Sequence, residues 1–185
     1  MTAYDPNNIF AKILRGEFSC HKVYEDEHVL AFLDIMPRVP GHTLVIPKAP
    51  ARNILDIKPD DYAHVARGAH KIAAAAMTAF KADGITIQQF NEAAGGQVVF
   101  HLHMHVLPRH DGVALLPPAS RKEDVKVLED NATRLIAALG YRNCHSGAMR
   151  KHRTRNLEIP GLVLTHHPGM TDRLTASAAT LLPAS

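Results

Sequence analysis

Cysteine is scarce in this chain of 185 residues: there are two, Cys20 and Cys144. Two cysteines so far apart build no disulfide framework, which excludes a small disulfide-stapled scaffold. Both thiols are expected free, in a reducing compartment. No stretch approaches the ~20 consecutive apolar residues of a membrane span. The opening residues, Met1 to Asn8, carry neither a basic cluster nor an apolar run, so no secretory signal is expected and the expected location is cytoplasmic. Internal repeats are absent. A one-sided charge is also missing from most of the chain. The formal net charge is +3, yet residues 141–185 hold six basic and two acidic residues, against 15 basic and 16 acidic in residues 1–140. The basic surplus therefore sits in the tail, and the body offers no electrostatic case for binding nucleic acid.

What remains is the composition of a globular protein, with 46% apolar and 21% charged residues. A single α+β domain is expected over residues 1–140. Residues 141–185 are expected to form a basic, poorly ordered extension whose partner stays undetermined. Asn7 to Arg15 reads as a short helix ended by Gly16, and Lys22–Glu25, His28–Asp34 and His42–Pro47 read as three strands. Pro59, Asp60 and Asp61 suit the start of a long helix running to Ala82. Ile85–Asn91 and Val99–Pro108 read as a fourth and fifth strand, and Arg121–Leu139 as a last helix capped by Gly140. Strands in a run before one helix and as a pair after it favour a five-stranded antiparallel meander with packed helices over a parallel doubly wound sheet.

The most informative segment is His101-Leu102-His103-Met104-His105-Val106-Leu107. Strict alternation on a strand sends the three imidazoles to one face and Leu102, Met104 and Val106 to the other. Three readings fit these residues. They could be ordinary half-exposed strand histidines. They could hold a metal, although His101 and His105 would stand ~13 Å apart on an extended strand, so further ligands such as His42 or His110 would be needed. Or a neutral imidazole could act as nucleophile toward phosphorus, its tautomer held by a neighbour. Gly95-Gly96-Gln97, just upstream, offers open backbone N–H groups of the kind that cradle anionic oxygens.

The segment resembles the His-φ-His-φ-His-φ-φ signature of the histidine-triad (HIT) superfamily of nucleotidyl hydrolases and transferases. Val29–Ile35, Pro40–Lys48, Asn91-Glu92 with Gly96-Gln97, and Pro108-Arg109 match in order around it. The resemblance covers roughly residues 7–140 and is greatest to the bacterial nucleoside-phosphoramidase (Hint-like) branch. It implies a HIT-like fold and cleavage of a nucleoside monophosphate, typically a purine nucleotide, from a leaving group at the α-phosphorus. His103 would be the nucleophile, forming a nucleotidyl-phosphohistidine. His101 would orient the site, His105 would contact the phosphate and assist the leaving group, and His42 would hydrogen-bond into the triad. Asp34 would take the ribose hydroxyls. Asn91, Gly96 and Gln97 would line the phosphate and leaving-group side, and Val99 would present its N–H to the phosphate. No cofactor and no metal is implied, and two chains are expected to pair as a homodimer.

Two positions depart from the family pattern. Val98 stands where many relatives place Ser or Thr after Gly-Gln, leaving proton delivery to His105 or water. Asn8-Ile9-Phe10-Ala11 stands where many bacterial relatives carry a zinc-binding Cys-x-x-Cys, so the short helix must hold by packing. A dinucleoside polyphosphate hydrolase or a nucleotidyl transferase of the same superfamily is an alternative, since Val106-Leu107-Pro108-Arg109 also resembles the fragile-histidine-triad branch. A nucleotide-binding regulatory module with little turnover is an alternative of another class.

Overall fold

A computed structural model of the chain describes residues 3–140. The expected basic extension, residues 141–185, lies outside the described residues. Three strands come first, β1 (Lys22–Glu25), β2 (Val29–Leu33) and β3 (Thr43–Pro47), and pair antiparallel in succession. β2 and β3 are buried at every position. Both of their faces are covered, which explains why they read as continuous apolar runs and not as alternating ones.

One face carries Val29, Ala31, Leu33 and Val45 into the main core, against α2 (Pro59–Phe80) and α3 (Val125–Ala138). The opposite face carries Leu30, Phe32, Leu44 and Ile46 under Phe10 of α1 (Ile9–Leu14). Six residues are too few to hold a helix alone. Asn8 supplies the missing support by capping it, its Oδ1 accepting the Phe10 and Ala11 N–H groups at 3.0 and 2.9 Å. Burial of Phe10 adds roughly 1.5–3 kcal/mol. Thus the capping side chain stands at the position where the family pattern would place the first zinc cysteine.

After α2 the chain crosses to the far edge, where β4 (Gly84–Gln88) lies, and returns as β5 (Met104–Arg109) between β4 and β3. The sheet is five-stranded and antiparallel, as expected, in the order β1-β2-β3-β5-β4. The meander is simple over its first three strands; in the last pair the later strand is the inner one. This order makes β5, which carries His105, an interior strand flanked by β3 and β4.

The expected strand Val99–Pro108 is shorter in the structure, beginning at Met104. Only His105 of the three histidines lies within it. The pairing of Val45 with Met104 would bring Pro47 opposite Leu102 if it continued. Pro47 has no N–H to offer the ladder, and Leu102 N–H goes instead to Ala51 O at 2.8 Å. The side-chain alternation survives regardless, with Leu102, Met104 and Val106 all in the main core.

The turn into β3 depends on Gly41. Its φ is +82°, and a Cβ there would stand 2.3 Å from the Phe80 ring. The ring's closeness and the left-handed backbone both demand glycine. Among the described residues no helix is long and apolar enough to cross a membrane.

Candidate active site

His101 is fully buried, and each of its ring nitrogens has a partner. Nε2 lies 3.0 Å from Pro47 O and Nδ1 lies 2.6 Å from Tyr4 Oη. A carbonyl only accepts, so the ring proton is on Nε2 and Nδ1 accepts from the Tyr4 hydroxyl. Burial drives the His101 pKa down to about 4, so the ring is neutral near pH 7.

His101 also contributes its backbone. His103 Nδ1 is 2.7 Å from His101 O. By the same reasoning His103 carries its proton on Nδ1 and keeps the lone pair on Nε2. Burial lowers the His103 pKa, opposed by that hydrogen bond and by Asp34. The Phe10 ring meets the imidazole edge-on at 5.1 Å. The result is a neutral imidazole, held in one tautomer, with an unprotonated Nε2. That is the state required of a nitrogen nucleophile.

A second pair sits alongside. His103 and His105 have ring centroids 4.9 Å apart. His105 Nδ1 is 2.9 Å from His42 Nε2. The Arg38 backbone N–H donates to His42 Nδ1 at 3.3 Å, so His42 carries its proton on Nε2 and donates it to His105 Nδ1. His105 then carries its own proton on Nε2. Burial takes His42 to about 4 and His105 to about 3, and the positive charge of Arg38 pushes both the same way. Asp34 Oδ2, 3.4 Å from His42 Nδ1, pulls His42 upward, and burial outweighs it. Asp34 Oδ1 accepts the Met36 N–H at 2.9 Å, which orients the carboxylate at the end of β2.

The loop before the triad is fastened from a distance. Glu92 adopts φ +62°, a strained value for a residue with a side chain. Its carboxylate receives Arg52 Nε at 2.9 Å and Asn53 Nδ2 at 2.7 Å, and its N–H donates to Gln97 Oε1 at 2.8 Å. The Arg52 bond is the main reason the Glu92 pKa falls to about 2. Gln97 is buried, and its Nε2 donates to Arg52 O and Val99 O at 2.7 and 3.0 Å. Asn91 Oδ1 accepts the Ile54 N–H at 3.0 Å. The Arg52 guanidinium also lies 4.0 Å over the Phe100 ring, next to His101. These bonds hold residues 91–100 against residues 51–56.

The structure therefore brings His42, His103, His105 and Asp34 together, with His101 supporting them from behind. The Gln97 and Asn91 side chains are engaged in holding the loop. Gly96, at φ +88°, turns the backbone beside the Phe90 ring, and Phe90 in turn meets His105 at 5.5 Å. Val99 packs on the Phe10 cluster, while Val98 is 85% exposed. His110 lies elsewhere, 3.8 Å from Asp83. Asp34, His42 and His105 present donor atoms within 4.8 Å of one another, a spacing a metal could use. Such an ion would have to compete with the His42–His105 hydrogen bond.

Sequence reasoning missed Tyr4, Arg52 and Asn53. No local pattern marks them, because each acts on residues 39 to 97 positions away.

The HIT domain family matches residues 15–112, more than half of the chain. The chain is 44% identical over 104 residues to Protein hit of Bacillus subtilis, spanning 56% of this chain and 72% of that protein. It is 33% identical over 136 residues to the adenylylsulfatase HINT3 of Arabidopsis thaliana, spanning 74% of this chain and 69% of that one. Among solved structures, a Hit-like protein of Bartonella henselae superposes with a TM-score of 0.72 at 51% identity, covering 74% of this chain and 99% of that chain. A zinc-bound histidine triad protein of Mycobacterium smegmatis superposes at 0.65 with 38% identity, covering 72% and 94%. The chain belongs to the HIT family, a superfamily of nucleotide-binding hydrolases and transferases.

Proposed function

We propose that this protein cleaves a nucleoside monophosphate from a leaving group at the α-phosphorus, as a purine nucleoside phosphoramidase does. The observation that carries the reading is the 2.7 Å contact of His103 Nδ1 with His101 O, which assigns the lone pair to His103 Nε2. In the first displacement that lone pair forms a bond to phosphorus, and the bond to the leaving atom breaks with its electrons as that atom takes a proton from His105 Nε2 or from water. In the second, water attacks phosphorus, the N–P bond breaks and the nucleotide leaves. The water proton passes to solvent or to the returned imidazole. His105 Nε2–H donates to a phosphate oxygen, Asp34 accepts from the ribose hydroxyls, and the N–H of Val99 and the backbone at Gly96 face the phosphate. Asn91 and Gln97 act by holding that backbone in place. Positioning and charge stabilisation supply most of the acceleration. No step calls on a cofactor or metal.

Two chains pair through the β4 edge of the sheet, where Ile87 is 47% exposed. Light scattering of the purified protein tests this. The HIT domain ends near Gly140, and the protein acts in the cytoplasm.

A second reading, hydrolysis of a nucleotidyl sulfate, is favoured by the similarity to the plant adenylylsulfatase. Incubation with adenosine phosphoramidate, adenylyl sulfate and diadenosine polyphosphates separates the readings. Fastest release of AMP from the phosphoramidate supports the first. Nucleotide binding with no turnover of any of the three overturns both in favour of a regulatory module.

A further inference from the structure

We propose that Tyr4 is a positioning residue for the nucleophile: its hydroxyl locks the tautomer of His101, whose own carbonyl holds the proton of His103. This rests on the reading of His103 as nucleophile, although the first half of it, the Tyr4–His101 lock, is testable without any turnover.

The chain of contacts runs Tyr4 Oη to His101 Nδ1 at 2.6 Å, His101 Nε2 to Pro47 O at 3.0 Å, and His101 O to His103 Nδ1 at 2.7 Å. Consider the other ways to protonate His101. If the proton sat on Nδ1, Nε2 would turn a lone pair toward the lone pairs of Pro47 O. If both nitrogens were protonated, a charged ring would sit buried beside His103, and burial opposes that by pulling the His101 pKa to about 4. The neutral ring with its proton on Nε2 satisfies both partners without burying a charge, and it needs a donor at Nδ1. Tyr4 is that donor. Burial raises the Tyr4 pKa, so the hydroxyl keeps its proton near neutral pH.

Without the hydroxyl, His101 Nδ1 becomes a buried acceptor that has lost its hydrogen-bond donor, and such a group costs free energy until it finds another. The ring can then turn or change tautomer, and either movement disturbs the residue whose carbonyl orients His103. The phenol ring itself meets His101 edge-on, with centroids 5.6 Å apart and planes at 61°. Tyr4→Phe keeps that ring contact and removes the hydroxyl alone.

Two readouts test the proposal. The first is the 15N spectrum of histidine-labelled wild-type protein, which reports the tautomer of each ring. His101 is expected as a single neutral form protonated on Nε2, and a form protonated on Nδ1 overturns the proposal with no variant needed. The second is Tyr4→Phe. Its His101 signals are expected to shift or split between tautomers, and its kcat to fall about tenfold with KM unchanged, the lower end of what losing an orienting partner costs elsewhere. Unchanged His101 signals in a folded Tyr4→Phe protein overturn the lock. Shifted signals with unchanged kcat overturn the link to the nucleophile. If the wild-type protein turns over no nucleotide substrate, the functional reading fails, while the 15N spectra still decide whether Tyr4 sets the His101 tautomer.

Discussion

His42 Nε2 donates to His105 Nδ1 across 2.9 Å, and this bond ties the loop after β2 to β5, an interior strand of the sheet. His42 is 2% exposed and His105 is neutral, so the bond is sheltered from water and fixes which nitrogen of His105 carries the outward proton. The two residues are 63 positions apart in sequence.

Replacing His42 by Phe removes that donor while filling much of the volume. The kcat of His42→Phe is expected to fall by about ten- to a hundredfold, with a smaller change in KM, as for other orienting partners. Steady-state kinetics on the preferred substrate check this. A kcat within twofold of wild type would show that His105 needs no such partner.

Asp34→Asn preserves an acceptor for the Met36 N–H and removes the negative charge proposed to take both ribose hydroxyls. KM for a ribonucleotide substrate is expected to rise about tenfold, the equivalent of about 1.4 kcal/mol for a charge-assisted pair of hydrogen bonds. The KM of the 2′,3′-dideoxy analogue should change little. Equal losses for both substrates would remove Asp34 from ribose recognition.

Stability should depend on pH through the buried imidazoles. The folded pKa values of His42, His101 and His105 are about 4, 4 and 3, below the ordinary 6.5. The unfolded chain therefore binds more protons below pH 6.5, and stability is full above that value and declines as pH falls toward 4. The slope is about 1.4 kcal/mol per pH unit for each proton taken up on unfolding. Thermal melts from pH 7.5 to pH 4.5 check the sign, and Tm should fall steadily over the lower half. By the same shifts, the neutral nucleophile persists below pH 6.5, so the acid limb of kcat/KM should lie below the ordinary histidine range.

Gly41→Ala places a methyl group 2.3 Å from the Phe80 ring on a backbone with φ +82°. A loss of roughly 1–3 kcal/mol is expected from the backbone alone. Because His42 is the next residue, activity should fall together with Tm. Chemical denaturation of the variant measures the first and turnover the second.

Much of this arrangement was legible in residues 101–107, because alternation is a property of the chain and the core face Leu102, Met104, Val106 followed from it directly. The burial of β2 was legible in its unbroken apolar run from Val29 to Leu33. The strand boundary before Met104 was not, because it depends on the β3–β5 register, which ends at Val45 and Met104 and leaves the Leu102 N–H to Ala51 O, neighbours set only by the tertiary fold. The reversed order of β4 and β5 was equally hidden, since two antiparallel strands joined by a loop spell the same sequence whichever of them is inner. Asp34 and His42 stood out through their matching blocks. Tyr4 and Arg52 carry no local sign of their roles, because hydrogen bonds between residues far apart in the chain leave no spacing to read.

The most direct measurement is rapid quenching of the protein during turnover of an α-phosphorus-labelled substrate, followed by peptide mapping under alkaline conditions that preserve N–P bonds. An acid-labile nucleotidyl group on His103 is the predicted result, absent from His103→Ala. Steady turnover with no label on His103, or label and full activity retained in His103→Ala, would contradict the assignment of the nucleophile.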